Sequence, residues 1–224
     1  EAGRASGIAV GDVIEALDGR PVDAWIEELS PYYAASNETT RLRDIGAFLG
    51  RGSCGKSTLS LRRGDDPRSV EVSRLEGRPP RVLPRDRPGD TFQLLSPEVA
   101  YLKLSSIRAQ DLAGYLDRAA ETRGLVVDLR NYPSESVVFA LGRRLVEKPT
   151  PFARFTEGDL DSPGAFTWTE PLVLEPQAPT YRGNVAILVS EVSISHAEYT
   201  AMALRAGPRA VVVGSTTAGA DGNV

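Results

Sequence analysis

Residues 185–214, VAILVSEVSISHAEYTAMALRAGPRAVVVG, decide the fold of this chain. They contain two short apolar runs, at 185–190 and 210–214, and the segment His196–Arg205 between them is predicted to be a helix. Apolar strands that alternate with helices are typical of a parallel or mixed β-sheet covered on both faces. This stretch therefore predicts an α/β architecture.

The same alternation extends upstream through the second half of the chain. It predicts two further strands and two further helices, in chain order over 99–104, 109–122, 124–130 and 136–146. Residues 91–224 are thus predicted to be one mixed or parallel-sheet core with helices on both faces. Ligands of such sheets bind beyond the carboxyl ends of the strands, which is where Arg130, Ser190 and Gly214 lie.

The first 75 residues have a different character and predict a small β-rich domain, which makes the chain α+β overall. Asp18-Gly19 is a favoured hairpin dipeptide, and the strand-like segments "STLSLRR" and "SVEVSRL" flank the turn at 64–67. Residues 38–50 have apolar residues at helical spacing, ended by a glycine. Residues 76–90, EGRPPRVLPRDRPGD, are rich in proline, arginine and glycine and are predicted to be a linker.

Composition excludes several functional classes. The net charge of −4 over 224 residues argues against nucleic-acid binding, which needs clustered basic residues. No apolar stretch approaches the roughly 20 residues that a membrane span requires. A single cysteine, Cys54, and a single histidine leave no disulfide and argue against a zinc site, so neither a metal nor a cofactor is expected. The chain begins and ends in mid-pattern, and we expect it to be part of a longer protein.

Residues 50–57, GRGSCGKS, match the phosphate-loop pattern G-x-x-x-x-G-K-[ST]. That motif binds phosphate where the glycine loop leaves a strand and opens a helix. Here a predicted helix precedes the loop and a strand-like pattern follows it, so Lys56 would begin a strand. We therefore expect a glycine-rich turn and no nucleotide binding.

Three segments, in order, resemble the carboxyl-terminal processing (tail-specific) serine peptidases that carry a PDZ domain. AGRASGIAVGDVIEALDGRPV is similar to the second half of a bacterial PDZ domain, and GLVVDLRNYPSE to a loop that reads D-L-R-x-N-P-G-G in the family. Residues 185–224 are similar to the stretch that contains the nucleophile. The resemblance implies hydrolysis of peptide bonds in unstructured or carboxyl-terminal polypeptide segments. It also implies a bacterial protein of the periplasm or cell envelope, or a secreted one.

Carried over by position, Ser195 corresponds to the family's nucleophile and Glu198 to the acidic residue of the following helix. A serine at a strand–helix junction lies beside backbone N–H groups of the first helical turn, which can stabilise an oxyanion. Its hydroxyl is a weak nucleophile, so a base within hydrogen-bond reach is required. Ser193 is an alternative, either as nucleophile or as a cap of the helix.

The base is where this chain departs from the family. Ala220 falls at the position of the family's catalytic lysine, and no lysine follows Lys148. His196 is a local substitute because its ordinary pKa suits a general base, but adjacent helical residues point about 100° apart. The other alternative is a base from outside these residues, as in tricorn-like members of the wider family.

The rim of the expected site comes from two loops. The resemblance places Arg130, Asn131 and Ser134 on one of them, where Ser134 and its neighbour replace the family's glycine pair. Thr217 and Gly219 lie on the other. Asp128 is expected to form a strand-end ion pair. The missing lysine and glycine pair also leave open a catalytically inactive, peptide-binding or scaffold homologue with the same fold.

Overall fold

The computed structural model describes residues 6–74, 76–77 and 86–221. The chain divides into two compact units, Glu1–Val82 and Leu83–Val224. Most of the predicted linker, residues 78–85, lies outside the described residues, as do 222–224 at the end of the nucleophile segment.

The first unit contains a four-stranded antiparallel sheet in the order β2-β1-β3-β4. Its elements are β1 Val13–Leu17, β2 Arg20–Pro21, helix α1 Val22–Leu29, helix α2 Glu38–Leu49, β3 Gly55–Arg63 and β4 Asp66–Arg74. Asp18 and Gly19 both have positive φ, as a tight hairpin turn requires. The Asn37 side chain accepts a hydrogen bond from the Thr40 N–H at 3.0 Å and caps α2.

The glycine-rich segment that resembles a phosphate loop leads into a strand. Lys56 is the second residue of β3, and its ammonium pairs with the carboxylate of Glu71 at 2.7 Å on the exposed surface. No helix begins at this loop, so the helix N-terminus that phosphate binding needs is missing from it.

The second unit is built on a five-stranded mixed sheet in the order β13-β12-β7-β6-β5. Only β5 is antiparallel to its neighbour. The elements of the unit are β5 Phe92–Ser96, β6 Val99–Lys103, α3 Leu112–Ala119, β7 Gly124–Asp128, α4 Val138–Gly142, β8 Thr150–Ala153, β9 Thr156–Gly158, β10 Phe166–Trp168, β11 Leu172–Leu174, β12 Asn184–Val189, α5 His196–Arg205 and β13 Ala210–Gly214. Two small ribbons, β8 with β11 and β9 with β10, lie outside the main sheet.

Two helices are shorter than their sequence patterns predict. The segment at 109–122 begins with a 3-10 turn at Ala109–Asp111 and is α-helical only in α3. The segment at 136–146 is α-helical only in α4, since the N–H groups of Arg144 and Leu145 donate to the carbonyls three residues earlier and not four. The chain thus leaves the α-helix through a tightened turn of the 3-10 type.

The inner strands form the core because their side chains are covered on both faces. Leu102, Leu125, Val127 and Ile187 are fully buried together with Leu204 of α5. The edge strand β13 differs, since the side chains of Val211, Val212 and Val213 are about half exposed. No helix in the described part of the chain is long and apolar enough to cross a membrane.

Candidate active site

The loop between β12 and α5 is held by a fully buried serine. The Ser193 hydroxyl donates to the Leu129 carbonyl at 2.7 Å and accepts from the Ser190 N–H at 3.0 Å. These bonds link the ends of the neighbouring strands β7 and β12. Both the hydroxyl proton and an oxygen lone pair of Ser193 are in use, so Ser193 is a structural residue of the loop.

Ser195 lies at the N-cap of α5 in a rare backbone conformation, with φ 51° and ψ −117°. It is one of two residues other than glycine with positive φ in the described ranges, the other being Asp18 in its turn. Such a conformation costs about 1–3 kcal/mol and is retained where surrounding bonds impose it. Nucleophilic serines of other hydrolases lie on this kind of sharp, strained turn from strand to helix.

Glu198 supplies the bonds that hold this turn. Its side chain is almost fully buried and accepts three backbone N–H groups, from Ser195 at 3.0 Å, Gly219 at 2.7 Å and Ala220 at 3.1 Å. The carboxylate therefore joins the start of α5 to the loop that leaves β13. This arrangement makes Glu198 a positioning residue, because its oxygens are occupied by backbone donors.

A second set of bonds ties the same loop directly to the turn. The Ser195 N–H also donates to the Ala220 carbonyl at 3.0 Å, and the Ala218 N–H donates to the Ser193 carbonyl at 2.9 Å. Ala220, which the sequence resemblance puts at the position of the family's lysine, is thus adjacent to Ser195 in space. Gly219 has φ 68°, which its lack of a side chain allows. Thr217 is half-buried on the same loop.

Few backbone donors remain free in the first turn of α5. The Ser195 N–H is shared between two acceptors, and the Ala197 N–H donates to the Ile194 carbonyl at 3.1 Å. Fewer N–H groups in the first turn of α5 are therefore available to an oxyanion than the sequence predicted. No hydrogen bond of the His196 N–H is found among the described residues. In other serine hydrolases the N–H of the residue after the nucleophile contributes to the oxyanion hole.

His196 lies beside Ser195, but among the described residues no hydrogen bond joins the two side chains. Its Nε2 is buried without a hydrogen-bond partner in the described part of the chain, and its ring contacts that of Tyr132 edge-on at 5.9 Å between centroids. Burial lowers the pKa of His196, while the nearby Asp221 opposes that change. The imidazole is therefore neutral at pH 7.

Asp221, which was not among the residues predicted from the sequence, completes this electrostatic environment. Burial and the neighbouring Glu198 raise the pKa of Asp221, and His196 partly offsets them. Burial, followed by Asp221, also raises the pKa of Tyr199. The only signal for Asp221 in the sequence was its place directly after Ala220, the residue that the resemblance puts at the family's lysine position.

The β7 side of the site contains the expected strand-end ion pair. Arg130 binds the Asp128 carboxylate with two nitrogens at 3.0 and 2.6 Å, and the Tyr101 hydroxyl donates to the same carboxylate at 2.6 Å. Burial alone would raise the pKa of Asp128, but the hydrogen bonds from Arg130 and Tyr101 outweigh burial and lower it. The Arg130 guanidinium is thus committed to Asp128 as part of the scaffold.

The other two residues predicted for this rim differ in their surroundings. Ser134 donates its N–H to the Leu104 carbonyl at 2.9 Å and its hydroxyl to the Ile107 carbonyl at 2.6 Å. Its polar groups thus anchor the loop to the segment after β6 and are not free for an oxyanion. Asn131 is buried, and its Oδ1 has no hydrogen-bond partner among the described residues.

An aromatic cluster, not predicted from the sequence, lies one helical turn beyond Ser195. The Tyr199 ring contacts the rings of Phe139, Phe152 and Phe155, at centroid distances of 6.4, 5.5 and 5.9 Å. Residues four apart share a helix face, so this apolar wall begins on the face that contains Ser195. In the described residues no group of His, Cys, Asp and Glu is arranged to hold a metal ion.

Comparison with known proteins defines the class. The model of peptidase family S41 matches residues 98–223, which is more than half of the chain. The chain belongs to peptidase family S41. That membership, together with the fold, supports a serine peptidase-like function. No curated protein matches the chain significantly.

The solved structures of CPAF show the same mixed α+β fold. Mature CPAF aligns with a TM-score of 0.69 at 15% identity, covering 96% of this chain and 65% of that chain. CPAF complexed with lactacystin aligns with a TM-score of 0.68 at 16% identity, covering 97% and 66%. The photosystem II D1 C-terminal processing protease is a weaker match, with a TM-score of 0.45, 16% identity and coverage of 98% and 55%. The chain spans slightly less than two thirds of the CPAF structures.

Proposed function

We propose that this chain contains the nucleophile of a serine endopeptidase that cuts unstructured or carboxyl-terminal polypeptide segments, and that Ser195 is the nucleophile. The observation that carries the proposal is the backbone of Ser195, held at φ 51° and ψ −117° by bonds to Glu198 and Ala220. Strain of this kind persists where function depends on it. A capping serine alone needs no such conformation.

In the proposed reaction, the Ser195 Oγ attacks the carbonyl carbon of the scissile peptide while its proton passes to a base. The oxyanion of the tetrahedral intermediate accepts the His196 N–H at the start of α5. Collapse expels the amine, which takes up the proton, and leaves an ester on Ser195. Water, deprotonated by the same base, then attacks the ester carbonyl carbon. The C–Oγ bond breaks, Ser195 takes the proton back from the base, and the acid product is released.

The base of this reaction comes from outside the usual lysine position. Ala220 has no proton-accepting side chain, although its backbone lies against Ser195. His196 is the one imidazole of the chain and its Nε2 has no hydrogen-bond partner among the described residues, but no hydrogen bond there joins it to the Ser195 hydroxyl. A group from beyond residues 1–224 is the other source.

Residues 1–75 are proposed to be a PDZ-like domain that binds an extended peptide. Their four-stranded antiparallel sheet ends at β4, an edge strand to which a peptide can add as a further strand. Such a domain would select substrate polypeptides that have an accessible extended segment. By family resemblance we place the protein in the bacterial cell envelope, in the periplasm or secreted.

A fluorophosphonate probe tests the nucleophile in the full-length protein. We expect covalent labelling of Ser195, located by peptide mass spectrometry, and loss of labelling in Ser195→Ala. Ser215→Ala is the matched control, because Ser215 is an exposed serine on the nearby loop whose hydroxyl donates to Glu191. Labelling that is absent from the folded wild type, or that survives in Ser195→Ala, would refute the assignment.

The second candidate function is a peptide-binding homologue without catalysis. One inference and one observation favour it: the sequence resemblance puts Ala220 at the lysine position, and the polar groups of Ser134 are committed to carbonyls after β6. Under this alternative the folded protein resists labelling yet binds an extended peptide. A fluorescence-anisotropy titration with labelled unstructured peptides measures that binding directly.

A further inference from the structure

A cleft of about 310 Å³ lies at the amino-terminal edge of the main sheet, opposite the edge that contains Ser195. Three arginines line it, Arg123, Arg182 and Arg209, together with the amide side chain of Asn184. Nothing in the proposed peptidase reaction uses these residues. The six residues of β12 separate the two edges by about 20 Å, at about 3.3 Å per residue.

The topology of the sheet brings the arginines together. Arg123 directly precedes β7, Arg182 lies two residues before β12, and Arg209 directly precedes β13. These three strands are adjacent and parallel, so their amino ends meet at the same edge. Neighbouring strands are about 4.8 Å apart, so the backbones that carry the three arginines span about 10 Å.

The positive charge of this row is only weakly neutralised. Arg123 pairs with Glu98 at 3.4 Å and Arg209 with Glu147 at 3.7 Å, in both cases through side chains that are about half exposed or more. Exposed pairs of this kind are worth little and exchange readily. Among the described residues Arg182 forms no ion pair at all, and its carbonyl accepts a hydrogen bond from Arg209 at 2.6 Å.

The side chains, not the backbone, supply the free donors of the cleft. The N–H groups of Arg123, Gly124, Asn184 and Val185 all donate to carbonyls within the same edge. Guanidinium groups bind carboxylate and phosphate oxygens through two parallel hydrogen bonds. We propose that this cleft binds a small oxyanion with two or more charged groups, phosphate or carboxylate.

Isothermal titration calorimetry of the whole chain with pyrophosphate, at low ionic strength, tests the proposal. We expect saturable binding of one pyrophosphate per chain, weakened about tenfold or more in Arg182→Gln because a charge-assisted hydrogen-bond pair is lost. Arg108→Gln is the matched control. It removes the same charge from the carboxyl-terminal side of the sheet, where Arg108 pairs with Asp111, and is expected to leave the affinity unchanged.

A second titration with citrate distinguishes the source of the oxyanion. Tighter binding of pyrophosphate identifies a phosphate ligand, and tighter binding of citrate identifies a polycarboxylate. No saturable binding of either anion at millimolar concentration would overturn the proposal, and so would equal weakening by Arg182→Gln and Arg108→Gln. Circular dichroism of both variants verifies folding. The result is independent of whether Ser195 reacts with the fluorophosphonate.

Discussion

Replacing Ser195 by glycine and by alanine measures the strain stored in the proposed nucleophile turn. Both changes remove the hydroxyl and retain the backbone bonds to Glu198 and Ala220, so the two variants differ only in the Cβ atom. The conformation φ 51°, ψ −117° is the mirror image of ordinary extended backbone. Glycine adopts it freely, whereas alanine carries the same steric strain as serine.

The expected difference follows from two opposing effects. Relief of strain favours the glycine variant by about 1–3 kcal/mol, while the greater freedom of glycine in the unfolded chain costs about 0.5–1 kcal/mol. We therefore expect Ser195→Gly to be more stable than Ser195→Ala by about 1 kcal/mol. For a chain of this size that is about 2–4 °C in Tm.

Urea denaturation and differential scanning calorimetry of the two variants provide the assay. Ala113→Gly, at an exposed position of α3 in the same unit, is the control and should lose about 1 kcal/mol, as glycine normally does in a helix. An alanine variant that equals or exceeds the glycine variant would show that the turn stores no strain. Ser195 would then not be a constrained nucleophile.

Two further predictions concern the same unit. Gly214→Ala should destabilise it by about 3 kcal/mol or more, since a Cβ there would lie 1.9 Å from the Val189 carbonyl oxygen at a φ of 137°. Gly114→Ala, in open space on α3, should instead stabilise it by about 0.5–1 kcal/mol, and urea melts compare the two. For His196, burial lowers the folded pKa, so the unfolded state binds the proton more readily and stability falls as pH drops through about 6.5. His196→Gln should flatten that slope between pH 7 and 5, and the NMR titration of this single histidine should give a midpoint below 6.5; a midpoint at or above 6.5 contradicts the burial argument.

Much of the sheet could be predicted from local pattern. Apolar runs located β12 and β13, and the strand at 210–214 and the helix at 196–205 have the predicted bounds. The same reasoning rejected the phosphate-loop match, because Lys56 continues into a strand. Periodicity works for these elements because burial on one or both faces is imposed residue by residue along a short segment.

The ends of the helix in segment 136–146 were less predictable from local pattern. Beyond Gly142 the backbone tightens into a turn, and the carbonyls of Arg143 and Arg144 then accept N–H groups from more than 30 residues later in the chain. No pattern within 136–146 contains those remote partners. The apolar spacing located the helix, and its bounds Val138–Gly142 are found only in the structure.

The sequence by itself determined that a serine and an acidic residue stand at a strand–helix junction, three positions apart. Only the tertiary structure decided what they do. Glu198 reaches Gly219 and Ala220, about 20 residues away, and thereby fixes Ser195 in its strained conformation. A buried carboxylate must find donors wherever the fold presents them, and here the fold presents the backbone of the loop after β13.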